Sequence, residues 1–528
     1  MLLDDGRIDD LINLIKDSFR VRPNQDPVYV DVGGNLPRIE AKQHQVVFGR
    51  RGSGKSCLLV HFHRAIGPAD RIKTIYIEAD SIKRLGYPDI LIRLLLTITE
   101  ALPGPRRNWW RRLLRRPCTP LEGQAVELRG LLDLAEHADV TAEDKDQLDQ
   151  KAEAGLKQGP ATIGASEATS SSSARTSVYK EHKLDALERH FSDYKTVLSA
   201  AITESSYDAG AVIVDDFYLF HLTIQPDVVD YLHRLLRGTD LYLKLGTVRY
   251  RTALMRHDGQ PIGVDPSQDV EEINLDRTFE DVESTADFLS VMLDSMAKKQ
   301  GIESLDDFIS EEGRLALALA SGGVPRDYLN TLVDGIEAAR ASGQARVTPK
   351  SVYKGAGRVS YRTKLKNLRE DTGDEAEAIE RVFRDLVFFC LREKKKTGFL
   401  ISQDEVSEHV AEHEVIQQLM DFKLIHVVES DTSAASGRRG RFEAYTLDFA
   451  LFMEPRLRGL EHMEFWKRDE QRHAVGVREA PTYLLSRARS AKEGDADAES
   501  TEDALGRLEA DVGGDEPGDT LTGAPTLF

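Results

Sequence analysis

Cysteine is nearly absent: 528 residues carry only Cys57, Cys118 and Cys390. They lie far apart in the chain, which excludes a disulfide framework and a cysteine-based metal site and points to a reducing cytoplasm. No uninterrupted apolar run approaches the ~20 residues of a membrane-spanning helix. The opening Met-Leu-Leu-Asp-Asp-Gly is acidic where a secretory signal would be basic, so the expectation is a soluble cytoplasmic protein. Basic charge is also scarce. Against 89 Asp and Glu stand 70 Lys and Arg, a net charge of −19, which argues against indiscriminate nucleic-acid binding by the whole surface. Much of the acidic excess is local: Ala491 to Phe528 holds eleven acids and two bases, with few apolar residues, a composition that predicts disorder.

Glycine and small residues are concentrated where they carry chemistry. Gln45 to Phe62 reads QVVFGRRGSGKSCLLVHF: a short apolar strand, a glycine-rich turn and an amphipathic helix. Its centre, Gly49-Arg50-Arg51-Gly52-Ser53-Gly54-Lys55-Ser56-Cys57, fits the phosphate-binding loop G-x-x-x-x-G-K-[ST] at every fixed position. Glycines let backbone N–H groups turn toward phosphates, and the helix that follows aims its positive end at the same place. Lys55 reaches the β- and γ-phosphates of ATP in such a loop, and the Ser56 hydroxyl ligates Mg2+. The strand before and the helix after make a chance match remote.

Strands alternate with helices downstream: Arg71 to Glu78, Ala211 to Asp215, Leu241 to Gly246 and Glu272 to Leu275 read as strands. Helices are expected from Pro88 to Leu102, over a segment ending near Ser205, and from about Asp227 to Leu236. That alternation predicts an α/β fold with a parallel sheet. The strand Ala211-Val-Ile-Val ends in Asp215-Asp216. After a phosphate loop, such a pair places Asp215 on the metal and Asp216 on the attacking water. Aspartate is one methylene shorter than glutamate, so slow turnover is expected. Thr247, at the next strand tip, is a candidate sensor of the γ-phosphate. Arg249, Arg251 and Arg256 are candidates for a finger that reaches a neighbouring subunit's nucleotide. Between Pro103 and Tyr179 the alternation breaks, and we read an insertion projecting from the core. Arg106 to Arg116 packs six arginines around Trp109 and Trp110; that cluster suits single-stranded nucleic acid, an anionic membrane surface, a protein partner, or simple packing on the core. Residues 160–177 read as a flexible linker.

Further along, Ala320-Ser-Gly-Gly-Val-Pro325-Arg326 puts Pro325 at a helix start and Arg326 in its first turn. A phosphate loop, an apolar strand ending in two aspartates, a helical region and then G-x-P-R resemble the AAA+ superclass, nearest to its origin-recognition initiator branch and the related STAND signalling ATPases. The resemblance covers roughly Phe19 to Val352. It implies a helical lid in which Arg326 touches the γ-phosphate. In several phosphate-loop families the segment before the first core strand covers the adenine; by that resemblance Phe19 to Pro27 is a candidate cover, with a simple lead-in as the alternative. Initiators usually carry Asp-Glu where this chain has Asp215-Asp216.

The C-terminal part reads as a helix from Glu375 to Arg392, a short helix from the cap at Ser402 to Val410, a third from Glu412 to Met420, and strands Phe422 to Glu429 and Phe442 to Leu447. Three helices and a two-stranded wing resemble a winged-helix domain. Its third helix offers Gln417 and Gln418 but no Lys or Arg; Arg438, Arg439 and Arg441 on the wing and Lys394 to Lys396 suit phosphate contacts better than base reading. The expected organisation is a lead-in (1–40), an ATPase core (41–277, insertion 103–179), a lid (278–352), a winged helix (374–472) and an acidic tail (473–528). The expected function is an ATP-dependent switch acting on DNA or on complex assembly. The alternative is a signalling or defence regulator in which ATP drives homo-oligomer formation and recruits a protein partner.

Overall fold

The computed structural model describes residues 3–25, 27, 29–103, 119–133, 182–372, 376–435, 439–452, 459–470 and 473–493. The Arg/Trp cluster, the expected linker and Arg438 lie outside the described residues.

Strands β1 (Gln45–Phe48), β2 (Ile72–Glu78), β3 (Ala209–Asp215), β4 (Leu241–Thr247) and β7 (Glu271–Asn274) form one five-stranded sheet in the order β2-β3-β4-β1-β7. Every neighbouring pair is parallel. Such a sheet is covered on both faces, so its strands read as apolar runs without alternation; β3 is buried at all seven positions. Between β4 and β7 the chain inserts a hairpin that the sequence did not announce, β5 (Met255–Asp258) with β6 (Gln260–Gly263). This is an α/β core with a parallel sheet, as expected from the alternation.

Part of the expected insertion belongs to that core. The helix Pro120–Asp133 packs against the helix Asp89–Ala101, burying Leu121, Ala125, Leu128 and Leu131 in the main apolar cluster. Its leucines at three- and four-residue steps are a core stripe; the Arg-rich segment before it made the whole stretch look like a projection.

The residues expected to form a lid make a separate apolar cluster. Helices Val282–Lys299, Glu311–Ala320 and Pro325–Ala341 enclose it, and the first helix, Gly6–Ser18, adds Ile8, Leu11 and Ile15. A long helix, Pro349–Thr372, leads from the lid to the C-terminal module. There, helices Ala376–Phe388, Gln403–Glu408 and Val410–Asp421 surround an antiparallel sheet in the order β8-β10-β9, with β8 Gly398–Ser402, β9 Ile425–Thr432 and β10 Phe442–Leu447. Strand β8 was not anticipated. Strand β9 begins three residues later than the apolar run suggested, because Phe422 caps the preceding helix and Lys423 takes a left-handed φ of 62°. The Leu424 N–H then closes on Leu419 O at 3.0 Å, a helix-terminating turn.

The first part of the expected tail is folded, and residues 494–528 lie outside the described residues. Residues 473–493 are packed: Val477, Tyr483, Leu485 and Ala488 are fully buried, Arg487 forks onto Asp385 and Arg489 reaches Glu412 at 2.7 Å. The apolar residues in this stretch are spaced for burial among its charges. No helix among the described residues is long and apolar enough to cross a membrane.

The module is held against core and lid by buried polar contacts. Lys423 pairs with Asp327 of the lid at 2.8 Å. His426 and Lys364 both donate to Asp448, at 2.8 and 2.6 Å, in the interior. The Tyr250 N–H of the core donates to Asp421 Oδ2 at 3.1 Å. Burial pushes the Asp421 carboxyl up to about 7, with Asp276 adding to the effect. A folded-state pKa above the unfolded 3.8 means that the native state keeps a proton which the unfolded chain has released. Stability therefore falls as pH rises from about 4 to about 7. Asp421→Asn keeps the acceptor without the charge. It is expected to raise the urea midpoint at pH 8 and to change it much less at pH 4. Equal shifts at the two pH values would contradict that assignment.

Candidate functional site

The phosphate loop leaves β1 at Phe48 and is clamped at its start. The Gly49 N–H donates to Thr247 O at 3.1 Å, and the Arg50 N–H donates to Asp276 Oδ1 at 2.7 Å. Gly52 and Gly54 have φ of 95° and 97°, a region that glycine enters at little cost. The helix Lys55–His61 starts directly after Gly54 and continues with a wider turn through Phe62–Ile66. Ser53 Oγ is buried in the loop and meets no partner among the described residues, an unsatisfied group of the kind a ligand oxygen would meet.

Lys55 is only 5% exposed. Its Nζ donates to Asp216 Oδ1 at 3.0 Å and lies 5.8 Å from the centre of the Tyr218 ring. Burial opposes the charge, but Asp215 and Asp216 outweigh it and hold the ammonium above its usual range. Asp215 is 3% exposed and sits at the end of β3, beside the loop. It accepts from Tyr76 Oη at 2.7 Å, from the Asp216 N–H at 2.9 Å and from the Ser56 side chain. Burial raises the Asp215 carboxyl and the Lys55 charge offsets it. Asp216 sits at φ 55°, a left-handed turn that swings its carboxylate toward Lys55. The structure thus brings Lys55, Ser56, Asp215 and Asp216 together.

Residues of the lead-in and lid complete a cleft of about 120 Å3. Gly52, Lys55, Ser56 and Cys57 form its floor, and Phe19, Val21, Tyr29, Met292, Met296 and Leu329 form an apolar wall. Phe19 therefore lies at the cleft, where the sequence resemblance puts a base cover. The wall residues from the lid helix were not foreseen, because their spacing is that of any amphipathic helix. Burial raises the Cys57 thiol to about 11, so it stays protonated. Arg326 lines the same cleft; its N–H donates to Gly52 O at 3.2 Å and its Nη2 to Phe19 O at 3.4 Å.

Other candidates are employed elsewhere. Arg50 turns away from the loop: it is 7% exposed, and its Nη2 donates to Arg277 O at 2.7 Å and to Gly322 O at 3.3 Å. Thr247 is fully buried and its hydroxyl pairs with Thr252 Oγ1 at 2.5 Å; its carbonyl, instead of its side chain, serves the loop. Arg249 pairs with Glu272 at 2.6 Å, Arg251 stacks over Tyr218 at 4.5 Å, and Arg256 grips Asp227 at 2.8 and 3.1 Å. All three finger candidates are thus engaged within the chain. Arg51 is exposed at the loop crest.

Three site residues escaped the sequence pattern. Tyr76 orients Asp215 from the neighbouring strand. Glu78 ends that strand in register with Asp215; partial burial and then Asp215 raise its carboxyl. Gly246 lies under the charge cluster, where a Cβ would stand 2.5 Å from Leu59 Cδ1 and 2.6 Å from Asp215 Oδ1. Gly246→Ala is therefore expected to push Asp215 off Ser56, at a stability cost of roughly 1–3 kcal/mol. Urea unfolding checks this; an unchanged midpoint would show that the cluster tolerates the side chain.

No family profile matches this chain, and no curated protein matches it. Among solved structures it is similar to Cdc6p from Pyrobaculum aerophilum, at 13% identity over 82% of this chain and 93% of that one, with a TM-score of 0.32. It is also similar to the Aeropyrum pernix ORC2 protein, in ADPNP–ADP complexes, at 12% identity over 92% and 98% with a TM-score of 0.37. The Aeropyrum pernix ORC1 protein in complex with DNA matches at 12% identity over 85% and 90%, TM-score 0.30. At these values the similarity assigns no residue of the cleft a role.

Proposed function

We propose that this chain is an ATP-binding, slowly hydrolysing switch of the AAA+ type, whose nucleotide state governs how a C-terminal winged helix engages DNA. The observation that carries the reading is the meeting of lid and phosphate loop at one point. The Arg326 backbone bonds Gly52, and a Cβ on Gly52 would stand 2.9 Å from Arg326 Cβ. Whatever occupies the loop is therefore felt by the lid. Phosphates fit the left-handed glycines, the Ser53 hydroxyl and the buried ammonium of Lys55. Ser56 and Asp215 offer the hard oxygens that suit Mg2+, and would hold it with the phosphates and water supplying the other ligands. The ion, when bound, would neutralise charge on the β- and γ-phosphates. Arg326, already in the cleft, would report the γ-phosphate to the lid, and the apolar wall would receive the base.

The lid in turn holds the module. Arg50 connects the loop to Gly322, and a Cβ on Gly322 would stand 2.1 Å from the His426 ring. Nucleotide-dependent movement of the lid would thus loosen or tighten the seat of the module. The module's order (helix, strand, two helices, two strands) supports the winged-helix reading. Its third helix exposes Val410, Ala411 and Glu414, while Gln417 lines a cleft toward the core. None of these is a basic base-reading group, so the reading is contact with DNA phosphates, through residues such as Lys394, Lys395 and Arg439, without sequence preference.

Magnesium-ATP binding is expected for the wild type and lost by about 100-fold in Lys55→Ala, an effect sized on removal of a charge-assisted contact to phosphate. Duplex DNA affinity, read by anisotropy, is expected to differ between ATP and ADP states and to fall with salt along the shallow slope of a few phosphate contacts. Lys55→Ala is expected to respond to neither nucleotide. DNA binding that ignores nucleotide would contradict the coupling. ATP-dependent self-assembly without DNA affinity would make assembly, instead of DNA, the output.

A further inference from the structure

Among the carboxylates at the C-terminal edge of the sheet, Asp216 and Glu78 flank Asp215 in sequence and in register, and they differ in how free they are. Asp216 is committed to Lys55, at 3.0 Å, from a left-handed backbone. Glu78 is not committed: it is exposed, and its side chain forms no hydrogen bond or ion pair among the described residues.

The register places Glu78 on the correct face. Strands β2 and β3 run parallel with Glu78 opposite Asp215 and Tyr76 opposite Ile213. Residues paired this way point to the same side of a sheet, and neighbouring strands lie about 4.8 Å apart. Tyr76, two residues before Glu78 and therefore on the same face, reaches Asp215 at 2.7 Å and lies 5.6 Å from the His63 ring on the helix that continues from the phosphate loop. That face is the one that carries the loop. The turns following the two strands, Ala79–Ser81 and Phe217–Leu219, also pack on each other, which ties the position of Glu78 to that of the Asp pair. Glutamate supplies the extra methylene that Asp216 lacks.

We propose that Glu78, instead of Asp216, takes the proton from the attacking water; this rests on the reading of the cleft as an ATP site. In the step, the water oxygen bonds to the γ-phosphorus and its proton passes to Glu78. The bond from the γ-phosphorus to the bridging oxygen breaks, and the electron pair leaves with ADP. The proton then goes to solvent as inorganic phosphate departs. Asp216 is left with the placement of Lys55.

The test compares wild type, Glu78→Gln, Glu78→Asp and Asp216→Asn, first by equilibrium binding of magnesium-ATP and then by single-turnover hydrolysis, with thermal melting to confirm that each variant folds. Glu78→Gln is expected to bind within about threefold of wild type and to hydrolyse about 100-fold more slowly or worse, the usual worth of a general base. Glu78→Asp is expected to fall between the two, and Asp216→Asn to lose less than about tenfold in rate. Three outcomes overturn the role of Glu78 and leave the cleft reading standing: normal turnover in Glu78→Gln, a larger rate loss in Asp216→Asn than in Glu78→Gln, or a wild type that binds ATP without hydrolysing it. A wild type that does not bind magnesium-ATP overturns the cleft reading itself.

Discussion

A buried ammonium beside two carboxylates sets the terms for the rest of this structure. Removing Lys55 from water costs several kcal/mol unless its charge is met, and Asp215 and Asp216 meet it from the end of the central strand β3. That requirement dictates local geometry. Gly246 must lack a side chain, Asp216 must adopt a left-handed backbone, and Tyr76 must hold Asp215 from the adjacent strand. Such an arrangement is poised, because a triphosphate offers Lys55 a stronger partner than Asp216 and would exchange one ion pair for another.

The second theme is physical continuity from this cluster to the far end of the chain. Arg50 belongs to the phosphate loop by sequence but is spent on Asp276, Arg277 O and Gly322 O. Gly322 and Gly323 have φ of 61° and 77° and turn the chain between two lid helices. His426 of the module packs on that turn and shares Asp448 with Lys364 from the connecting helix. Burial lowers His426 to about 4, so it is neutral at physiological pH; the pairing with Asp448 is then a hydrogen bond, and the charge partner of Asp448 is Lys364. Core, lid and module are thus joined by polar contacts that each need a particular geometry, so small rearrangements at the loop are not absorbed by a soft interface.

The sequence revealed those parts of this structure that depend on local order. The phosphate loop, the strand ending in two aspartates and the parallel sheet each follow from a contiguous pattern, and Lys55, Ser56 and Asp215 come together as their motifs imply. What stayed hidden depends on register and packing. Glu78 and Tyr76 look like ordinary strand residues until β2 is laid against β3. Gly246 reads as one more small residue in an apolar run. Arg50 has the same motif status as Arg51, yet its side chain leaves the loop for the lid. Thr247 stands at the foreseen strand tip, but Thr252 claims its hydroxyl. Within the expected tail, residues 473–493 were misjudged because composition counts charges and overlooks that Tyr483, Leu485 and Ala488 are spaced for burial.

The central claim is that a nucleotide in the phosphate loop is sensed by the lid through Gly52 and Arg326. Amide hydrogen exchange with and without a non-hydrolysable ATP analogue and magnesium tests it most directly. Slower exchange is expected at Gly52 to Ser56 and also at the Pro325–Ala341 helix start, with ADP protecting the loop more than the lid. Protection confined to surfaces away from the loop, or a loop protected while the lid exchanges unchanged with either nucleotide, would contradict the account.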